Sequence, residues 1–372
     1  MDASVPTPTP PPTGTWRRLA ASPWLRPLND PALLDGWLGR IDPLWSVTEI
    51  RARIVARIRE TADTWTFVLR PNRHWTGFAP GQHVLVGAEI GGRRVQRCYS
   101  LSRAPDASGT LAITVKRQAG GSLSTWLHDT ASVGTVLGLS TAAGTFVLPA
   151  TAPDKLLLLS AGSGITPMRA HLQALLTAGY RGDLVVVHAC RNPDDVIYGA
   201  ELERLARETP NLRVHFHFTR RQGRLDAKAL AGLVPDRADR HTLVCGPASL
   251  MAWVSAQWRA DGIADRLQLE HFGAPVSDVV EGAAVTVQCA PSGRTFQAVP
   301  GKPLLTEAEG AGLRPLAGCR VGLCHTCKCR KTSGTVKNLL TGAVSSAPDE
   351  LIQLCISTAQ SDLALDLQDA RQ

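Results

Sequence analysis

The chain contains 372 residues, which is long enough for two or three domains that each bury their own core. Hydrophobic residues make up 44% of it and charged residues 19%, a balance that excludes wholesale disorder. Its formal charge of +8 comes mostly from dispersed arginines, without a Lys/Arg block, so we expect no nucleic-acid partner. The positive excess suits dinucleotide phosphates, an acidic partner or an anionic membrane surface.

The cysteines argue against a disulfide scaffold. Nine are present, an odd number, and four of them fall between Cys319 and Cys329. The start of the chain has no secretory signal, and the apolar run at 156–159 is far too short to span a bilayer. We therefore expect a cytoplasmic monomer with no transmembrane segment, in a reducing compartment.

Four segments of the chain differ in composition and hydrophobic pattern. Residues 1–50 combine a Pro/Thr lead at Val5–Pro12, predicted to be disordered, with a Trp- and Leu-containing stretch predicted to form short helices on the next domain. Residues 51–150 contain short β-rich runs between Gly/Pro turns, typical of an antiparallel barrel. In residues 151–276 apolar strands alternate with helices, which predicts a Rossmann-like parallel sheet. The predicted strands include His83–Ile90, Leu111–Lys116, Leu212–Phe218 and His241–Cys245, and a helix is predicted at Met168–Ala178. Residues 282–372 predict a small β-grasp-like unit.

Two motifs in the barrel segment suit a flavin. Arg97 could pair with a phosphate, Tyr99 could lie against the isoalloxazine ring, and Ser100 could reach the ring edge. The Gly-rich run that contains Gly121, Ser122 and Ser124 precedes a helix predicted to start near Ser124, whose free N–H groups could face a pyrophosphate. A plain turn with an N-cap is the alternative interpretation of this run.

The parallel-sheet segment carries a predicted dinucleotide site. A buried strand runs into a turn with Gly162, Gly164 and Thr166 and then into a helix, the kind of junction at which dinucleotide phosphates bind. Cys245 and Gly246 close a later strand, where the glycine permits close approach and the cysteine could face a nicotinamide, although a simple turn is the commoner meaning of such a tripeptide.

A short strand is expected where the parallel-sheet segment ends. Glu270 and Phe272 are two residues apart and should point to one side of that strand. An ordinary edge strand with a satisfied carboxylate is the alternative interpretation.

The strongest motif is a cysteine loop. Cys319, Cys324 and Cys327 have the spacing C-x4-C-x2-C, and Cys355 follows after 27 further residues, which is the plant-type [2Fe–2S] spacing. A zinc ribbon would need a second C-x2-C pair, and buried unliganded thiols rarely gather so densely. Cys329 lies two residues beyond Cys327, outside the C-x4-C-x2-C spacing, and is not predicted to be a ligand.

Taken in order, these motifs resemble the ferredoxin–NADP reductase superfamily, specifically its members with a C-terminal ferredoxin domain: RCYS, GGSLS, AGSGITP, CGP, LEHFG and CRVGLCHTC. The resemblance covers about Arg51 to Asp366. It implies that Arg97, Tyr99 and Ser100 hold the flavin, that Gly121, Ser122 and Ser124 hold its pyrophosphate, and that Ser100, Cys245, Glu270 and Phe272 flank hydride transfer. The implied nicotinamide-binding residues are Gly162, Gly164, Thr166 and Gly246.

The resemblance also implies the electron path from NAD(P)H through FAD to the [2Fe–2S] cluster and then to a separate acceptor protein. We expect FAD rather than FMN because of the pyrophosphate-type motif. Arg191 and Arg220 follow successive strands and favour the 2′-phosphate of NADPH, although Asp194 and Asp195 lie close in sequence.

The acceptor is expected to be a membrane fatty-acyl desaturase or alkane hydroxylase, so that the protein would sit peripherally at the membrane. The alternatives are a flavin/iron–sulfur redox sensor that binds a regulator, and a reductase for a soluble ring-hydroxylating oxygenase or hybrid-cluster protein.

Overall fold

A computed structural model describes residues 30–272, 282–322 and 325–367. The predicted lead at Val5–Pro12 and the stretch from Trp16 to residue 29 lie outside these ranges. Helix α1 (Pro31–Ile41) is followed by a loop that is tied to the first strand, because the Arg51 guanidinium donates to the carbonyls of Pro43 and Trp45.

The first sheet is antiparallel. Its strands are β1 (Ile50–Thr61), β2 (Thr64–Pro71), β3 (His83–Ile90), β4 (Arg93–Ser100), β5 (Leu111–Lys116) and β6 (Val136–Leu139), with helix α2 (Ser122–Asp129) between β5 and β6 in the chain. The strand order is β4-β3-β6-β1-β2-β5, and a bridge between Leu101 and Ile113 joins the two ends. Apolar side chains such as Ile54, Phe67 and Leu137 fill its core, so the predicted antiparallel barrel is confirmed.

The second sheet is parallel. Its elements are β7 (Lys155–Ala161), α3 (Ile165–Thr177), β8 (Asp183–Cys190), α4 (Gly199–Glu208), β9 (Leu212–Phe218), α5 (Thr219–Gln222), α6 (Ala227–Leu233), β10 (His241–Cys245), α7 (Ala248–Ala260) and β11 (Leu267–Glu270). The strand order is β11-β10-β7-β8-β9. From β7 the chain adds β8 and β9 on one side and then β10 and β11 on the other, which creates a topological switch point at the carboxyl ends of β7 and β10.

Consecutive leucines in β7 are explained by this arrangement. Leu156 and Leu158 pack into one apolar cluster, while Leu157 and Leu159 pack into another that contains Trp258 of α7. A strand buried on both faces needs apolar residues at every position, and this confirms the predicted Rossmann-like sheet.

The third region has two sheets. Its elements are β12 (Val285–Pro291), β13 (Arg294–Ala298), α8 (Leu304–Gly310), β14 (Lys328–Ser333), β15 (Val336–Asn338), β16 (Val344–Ser345), β17 (Glu350–Gln353), β18 (Ser357–Ala359) and β19 (Leu363–Leu367). The orders are β13-β12-β19-β14-β17 and β16-β15-β18. The first and last strands, β12 and β19, pair in parallel at the centre, and α8 contributes Leu304 and Leu305 to the same core, as expected for a β-grasp unit.

Among the described residues, no helix combines the length and the apolar character that crossing a membrane requires.

Candidate functional site

A cavity of about 240 Å³ opens between the barrel and the parallel sheet. The predicted flavin residues share its wall: Arg97, Tyr99, Ser100, Gly121, Ser122 and Ser124. Thr166 and Phe272 from the second region also line it. Burial raises the pKa of the Tyr99 hydroxyl, so the ring stays neutral and offers a flat apolar face. The wall therefore fits a flavin, with an aromatic surface, hydroxyl groups and a helix N-terminus.

Helix α2 begins at Ser122, two residues earlier than predicted. The Ser124 side chain reaches back from the first turn of the helix and closes the loop that precedes it. The Ser124 hydroxyl accepts a hydrogen bond from the Gln118 N–H at 3.2 Å and donates one to the Gly121 carbonyl at 3.4 Å. A Cβ on Gly121 would lie 2.5 Å from the Ser124 oxygen, so a side chain there would displace the hydroxyl that closes the turn. Since this hydroxyl is occupied by the turn, backbone N–H groups at the start of α2 are the better donors for a phosphate.

The predicted dinucleotide turn lies at the switch point. Gly162–Gly164 form a 3₁₀ turn and α3 starts at Ile165, three residues before the predicted start at Met168. Thr166 Oγ1 donates to the Ser163 carbonyl at 2.9 Å. A Cβ on Gly164 would lie 2.1 Å from the Cys245 carbonyl oxygen, so this turn packs directly against the end of β10. Gly164 thus lets the turn pack closely against the carboxyl end of β10, the edge at which open parallel sheets bind their ligands.

Cys245 is fully buried rather than exposed to the cavity. Burial, together with the nearby Glu270 carboxyl, raises the pKa of its thiol well above the usual value. Gly246 follows it directly, and a Cβ there would lie 3.0 Å from a Leu250 methyl carbon. In this structure the cysteine therefore acts as a neutral packing residue beneath the site.

Glu270 and Phe272 do not share a strand. β11 ends at Glu270, which is buried, whereas Phe272 follows the strand, is 42% exposed and lines the flavin cavity. The Ser100 hydroxyl donates to Glu270 Oε2 at 3.3 Å, and His83 Nδ1 lies 3.5 Å from Oε1. Burial raises the pKa of Glu270, and the contacts with His83 and Ser100 oppose that rise.

Arg191 and Arg220 come together at the carboxyl edge of the sheet. The Arg220 backbone N–H donates to the Arg191 carbonyl at 3.2 Å, and the Arg191 side chain is 61% exposed with Asp195 at 4.0 Å. Asp195 also accepts from Asn192 Nδ2 at 3.2 Å. Two arginines therefore meet where the second and third strands of the sheet end.

Three of the four predicted cluster cysteines converge. Cys319, Cys327 and Cys355 are buried together, whereas Cys324 lies outside the described residues. Hydrogen bonding from the Cys355 thiol lowers the pKa of Cys327 to about 7, and contacts with Cys319 and Cys327 raise that of Cys355. Arg320 (φ 64°) and His325 (φ 56°) are left-handed, which makes the loop tight. Thiols this close, on a tight loop, fit the thiolate ligation of a [2Fe–2S] cluster.

Cys329 is buried in the core of the third region, and its thiol donates to the Asp366 carbonyl at 3.3 Å. Burial raises the pKa of Cys329 to about 12, which suits a structural thiol rather than a ligand.

The cluster loop contacts the flavin motif. Arg97 Nη1 donates to the Gly318 carbonyl at 3.4 Å, and Gly318 directly precedes Cys319. Burial lowers the pKa of Arg97, and Arg320 of the cluster loop adds to this effect. Arg97, expected to hold a phosphate, thus lies between the two redox sites.

Several residues of the site were not identified from the sequence. Lys116, Thr114 and Ser163 line the flavin cavity, and His83 meets Glu270. A lysine at a strand end and a serine between two glycines are common in any protein, so only the neighbourhood reveals their role. His83 follows a Pro-Gly-Gln turn and begins a strand, which carries no chemical signal by itself.

Comparison with known proteins agrees with this architecture. Three family models match: an oxidoreductase FAD-binding domain at residues 51–148, an oxidoreductase NAD-binding domain at 158–256 and a 2Fe-2S iron-sulfur cluster binding domain at 287–360. These matches lie inside the three segments predicted from the sequence, whose exact boundaries stay a prediction.

Whole-chain relatives have the same organisation. An NADPH oxidoreductase of Mycobacterium tuberculosis is 38% identical over 344 residues, covering 91% of this chain and 90% of that protein. A glycine betaine monooxygenase reductase subunit of Pseudomonas aeruginosa is 30% identical, covering 87% of this chain and 96% of the relative. The structure of phthalate dioxygenase reductase, described as modular for electron transfer from pyridine nucleotides to [2Fe-2S], matches with a TM-score of 0.60 and 26% identity over 85% of this chain and 97% of that one.

These matches confirm the expected cofactor set of FAD, NAD(P)H and a [2Fe–2S] cluster, and the expected oxidoreductase activity. The chain therefore belongs to the ferredoxin–NADP reductase superfamily, among the flavoprotein reductases that carry a C-terminal plant-type [2Fe–2S] ferredoxin domain.

Proposed function

We propose that this reductase takes electrons from NADPH and delivers them singly, through FAD and the [2Fe–2S] cluster, to a separate membrane oxygenase such as a fatty-acyl desaturase or alkane hydroxylase. The contact between Arg97 and the Gly318 carbonyl carries the proposal, because it joins the flavin motif to the cluster loop. When bound, FAD supplies the conversion of a two-electron hydride into single electrons.

The chain's own residues position the reactants. Tyr99 provides a neutral aromatic surface, Ser100 a hydroxyl at the cavity wall, and the start of α2 the N–H groups for the pyrophosphate. Phe272 lines the same cavity and is 42% exposed, so its ring would be available to cover the flavin face before the nicotinamide binds.

NADPH is favoured over NADH by the arginine pair. The glycine turn at 162–164, Thr166 and Gly246 form the junction for the pyrophosphate, and Arg191 and Arg220 lie at the ends of the next two strands. A 2′-phosphate bound there would accept charge-assisted hydrogen bonds from both guanidinium groups. Asp195 is already engaged by Asn192, which weakens it as a partner for a ribose 2′-OH.

Electrons can leave on another side of the cluster loop. A shallow cavity of about 320 Å³ includes Cys327 in its wall, together with Leu316 and Leu351, which are 64% and 59% exposed. The flavin motif touches the loop at Gly318, before Cys319. Entry and exit would therefore use different ligands of the cluster, with an apolar surface available for the acceptor.

A membrane location for that acceptor is supported by helix α1. Its side chains Leu33, Trp37 and Ile41, one turn apart, are 47%, 63% and 72% exposed, and Trp45 beyond the helix is 50% exposed. On the inward side of the helix, the buried Asp35 carboxylate accepts hydrogen bonds from Ser46 and Thr48. A helix that turns an apolar stripe outward, followed by a second exposed tryptophan in the next loop, suits the interface of a lipid bilayer.

Charge also favours an anionic lipid surface. Arg40 on α1 and Arg73 beside it are exposed, and neither forms an ion pair within the described ranges. Two of the nearby carboxylates are neutralised, since Asp42 pairs with Arg53 and Glu49 pairs with Arg51. The face α1 presents is thus apolar with a basic border.

The electron path is tested with a matched pair of cysteine variants. Cys324→Ser should abolish cytochrome c reduction and the electron paramagnetic resonance signal of the reduced cluster, while flavin reduction by NADPH continues. Cys329→Ser, which alters a thiol hydrogen-bonded to the Asp366 carbonyl, should retain both cytochrome c reduction and the resonance signal. Persistent cytochrome c reduction in the Cys324 variant would place the cluster off the path. Slow turnover in the wild-type protein would instead indicate a redox sensor.

The membrane proposal is tested by flotation with vesicles of defined composition. Wild-type protein should bind vesicles containing phosphatidylglycerol, and a Trp37→Ser/Ile41→Ser variant should lose binding several-fold. Val133→Ser, which changes an equally exposed apolar residue on the barrel, is the control. Equal behaviour of the two variants, or binding to neutral vesicles alone, would contradict the proposal.

A further inference from the structure

A buried polar cluster joins the barrel to the parallel sheet behind the flavin cavity. His83 opens β3, Ser100 closes β4, and the two are direct partners in the antiparallel register. Side chains of paired residues point to the same face of a sheet, so both reach the same neighbour. That neighbour is Glu270 at the end of β11, with Ser100 at one carboxyl oxygen and His83 at the other.

The His83 ring is held in place by the backbone around it. His83 N–H donates to the Ala143 carbonyl at 2.9 Å, and the Ala143 N–H donates to the His83 carbonyl at the same distance. A Cβ on the next residue, Gly144, would lie 2.9 Å from both His83 Cε1 and Nδ1. The absence of a side chain on Gly144 therefore makes room for the His83 ring. The ring packs against this glycine with its Nδ1 edge near Glu270.

The two ring nitrogens have different surroundings. Nδ1 faces Glu270, whereas Nε2 is buried with no hydrogen-bond partner within the described ranges. An N–H at Nε2 would be left unsatisfied, which is costly, while a bare lone pair there is tolerated more easily. The tautomer with its proton on Nδ1 is therefore favoured, and it donates to the carboxylate.

We propose that His83 is a positioning residue that, by donating from Nδ1 to Oε1, favours the charged form of the Glu270 carboxyl and directs it at Ser100 in the flavin cavity. Among the described residues, three groups face this carboxyl: His83 from β3, Ser100 from β4 and the buried thiol of Cys245 from β10. The Ser100 hydroxyl donates to it, and His83 Nδ1 lies 3.5 Å from its other oxygen. The inference rests on the proposed role of Glu270 and Ser100 beside the flavin, and it names the group that controls them.

The first test measures the carboxyl group in flavin-free protein. Infrared difference spectra across a pH series, with Glu270→Gln to assign the band, report the midpoint of Glu270 protonation. His83→Leu should raise that midpoint by about one pH unit, because one donor to the charged form is lost. His83→Asn, whose amide N–H can replace Nδ1–H, should restore it. An unchanged midpoint in the leucine variant, or an asparagine variant that matches it, would overturn the proposal.

The second test needs no variant. Nitrogen NMR of the wild-type imidazole should show the proton on Nδ1, and a proton on Nε2 would overturn the assignment even if His83→Leu fails to fold. In the FAD-loaded enzyme, the pH profile of flavin reduction by NADPH should move with the infrared midpoint. If NADPH fails to reduce the flavin at all, the proposed function fails, while the infrared and NMR results still decide the role of His83.

Discussion

Replacing Gly164 by alanine perturbs the dinucleotide turn through a single added methyl group. That Cβ would lie 2.1 Å from the Cys245 carbonyl oxygen and 2.4 Å from its carbonyl carbon. Both atoms belong to backbone paired with β7, so they cannot rotate away as a side chain could. The local conformation of Gly164, φ −62° and ψ −10°, is one that alanine adopts freely, so the effect is purely steric.

The expected magnitude follows from that overlap. Forcing an extra carbon into packed backbone typically costs about 1–3 kcal/mol. Part of this should appear as lower thermal stability of the parallel-sheet region. Because the displaced turn is also the proposed phosphate site, the Kd for NADPH should rise roughly tenfold for each 1.4 kcal/mol lost from binding.

Calorimetry and NADPH titration check this result, with Gly232→Ala as the control. Gly232 lies in α6, and a Cβ there has no atom within 4 Å among those described. Alanine should stabilise that helix by up to about 1 kcal/mol and leave NADPH binding unchanged. If Gly164→Ala were as stable as the wild type and bound NADPH equally well, or if both variants shifted stability in the same direction, the steric reasoning would be refuted.

Three further predictions concern charge and burial. The double change Arg191→Ala/Arg220→Ala should lower kcat/KM for NADPH about tenfold or more in steady-state assays, because charge-assisted hydrogen bonds to the 2′-phosphate are lost. The kcat/KM for NADH should stay nearly unchanged. The control Arg204→Ala, which breaks a surface ion pair with Glu208, should leave both kcat/KM values unchanged. Arg240 is fully buried between Asp183 and Asp236, so Arg240→Met should destabilise the protein by about 3 kcal/mol in urea unfolding, and a change below 1 kcal/mol would contradict a structural role for the pair. Burial lowers the pKa of both His171 and His188 to about 4, from a usual value near 6.5, so below pH 6.5 the unfolded chain binds protons that the folded chain excludes. The free energy of unfolding should therefore keep its full value above about pH 6.5 and fall towards pH 4. In chemical unfolding measured between these pH values, His171→Gln should make the fall smaller.

Much of the fold could be predicted from local pattern. The strands His83–Ile90, Leu111–Lys116, Leu212–Phe218 and His241–Cys245 were predicted with their observed bounds. Each is a short apolar or β-branched run bounded by turn residues, so its ends are set by its immediate neighbours. Helix starts were less accurate, and α2 and α3 began two and three residues early because a glycine turn continued directly into the helix.

The candidate site divides in the same way. Residue type and spacing sufficed for the cysteine loop, the glycine turn and the flavin motif, since each ligand chemistry demands particular atoms at fixed intervals along the chain. Phe272 was placed on a strand with Glu270, whereas the strand ends first and the two side chains have different surroundings.

Which distant residues meet depends on the tertiary structure. His83 and Glu270 are far apart in sequence, and so are Arg97 and Gly318, yet each pair lies within 3.5 Å. Periodicity and local chemistry in the sequence were enough to predict three folding units and the type of ligand for each. The burial of Cys245 and the polar contacts of Glu270 depend on how the units pack together, which no local pattern encodes.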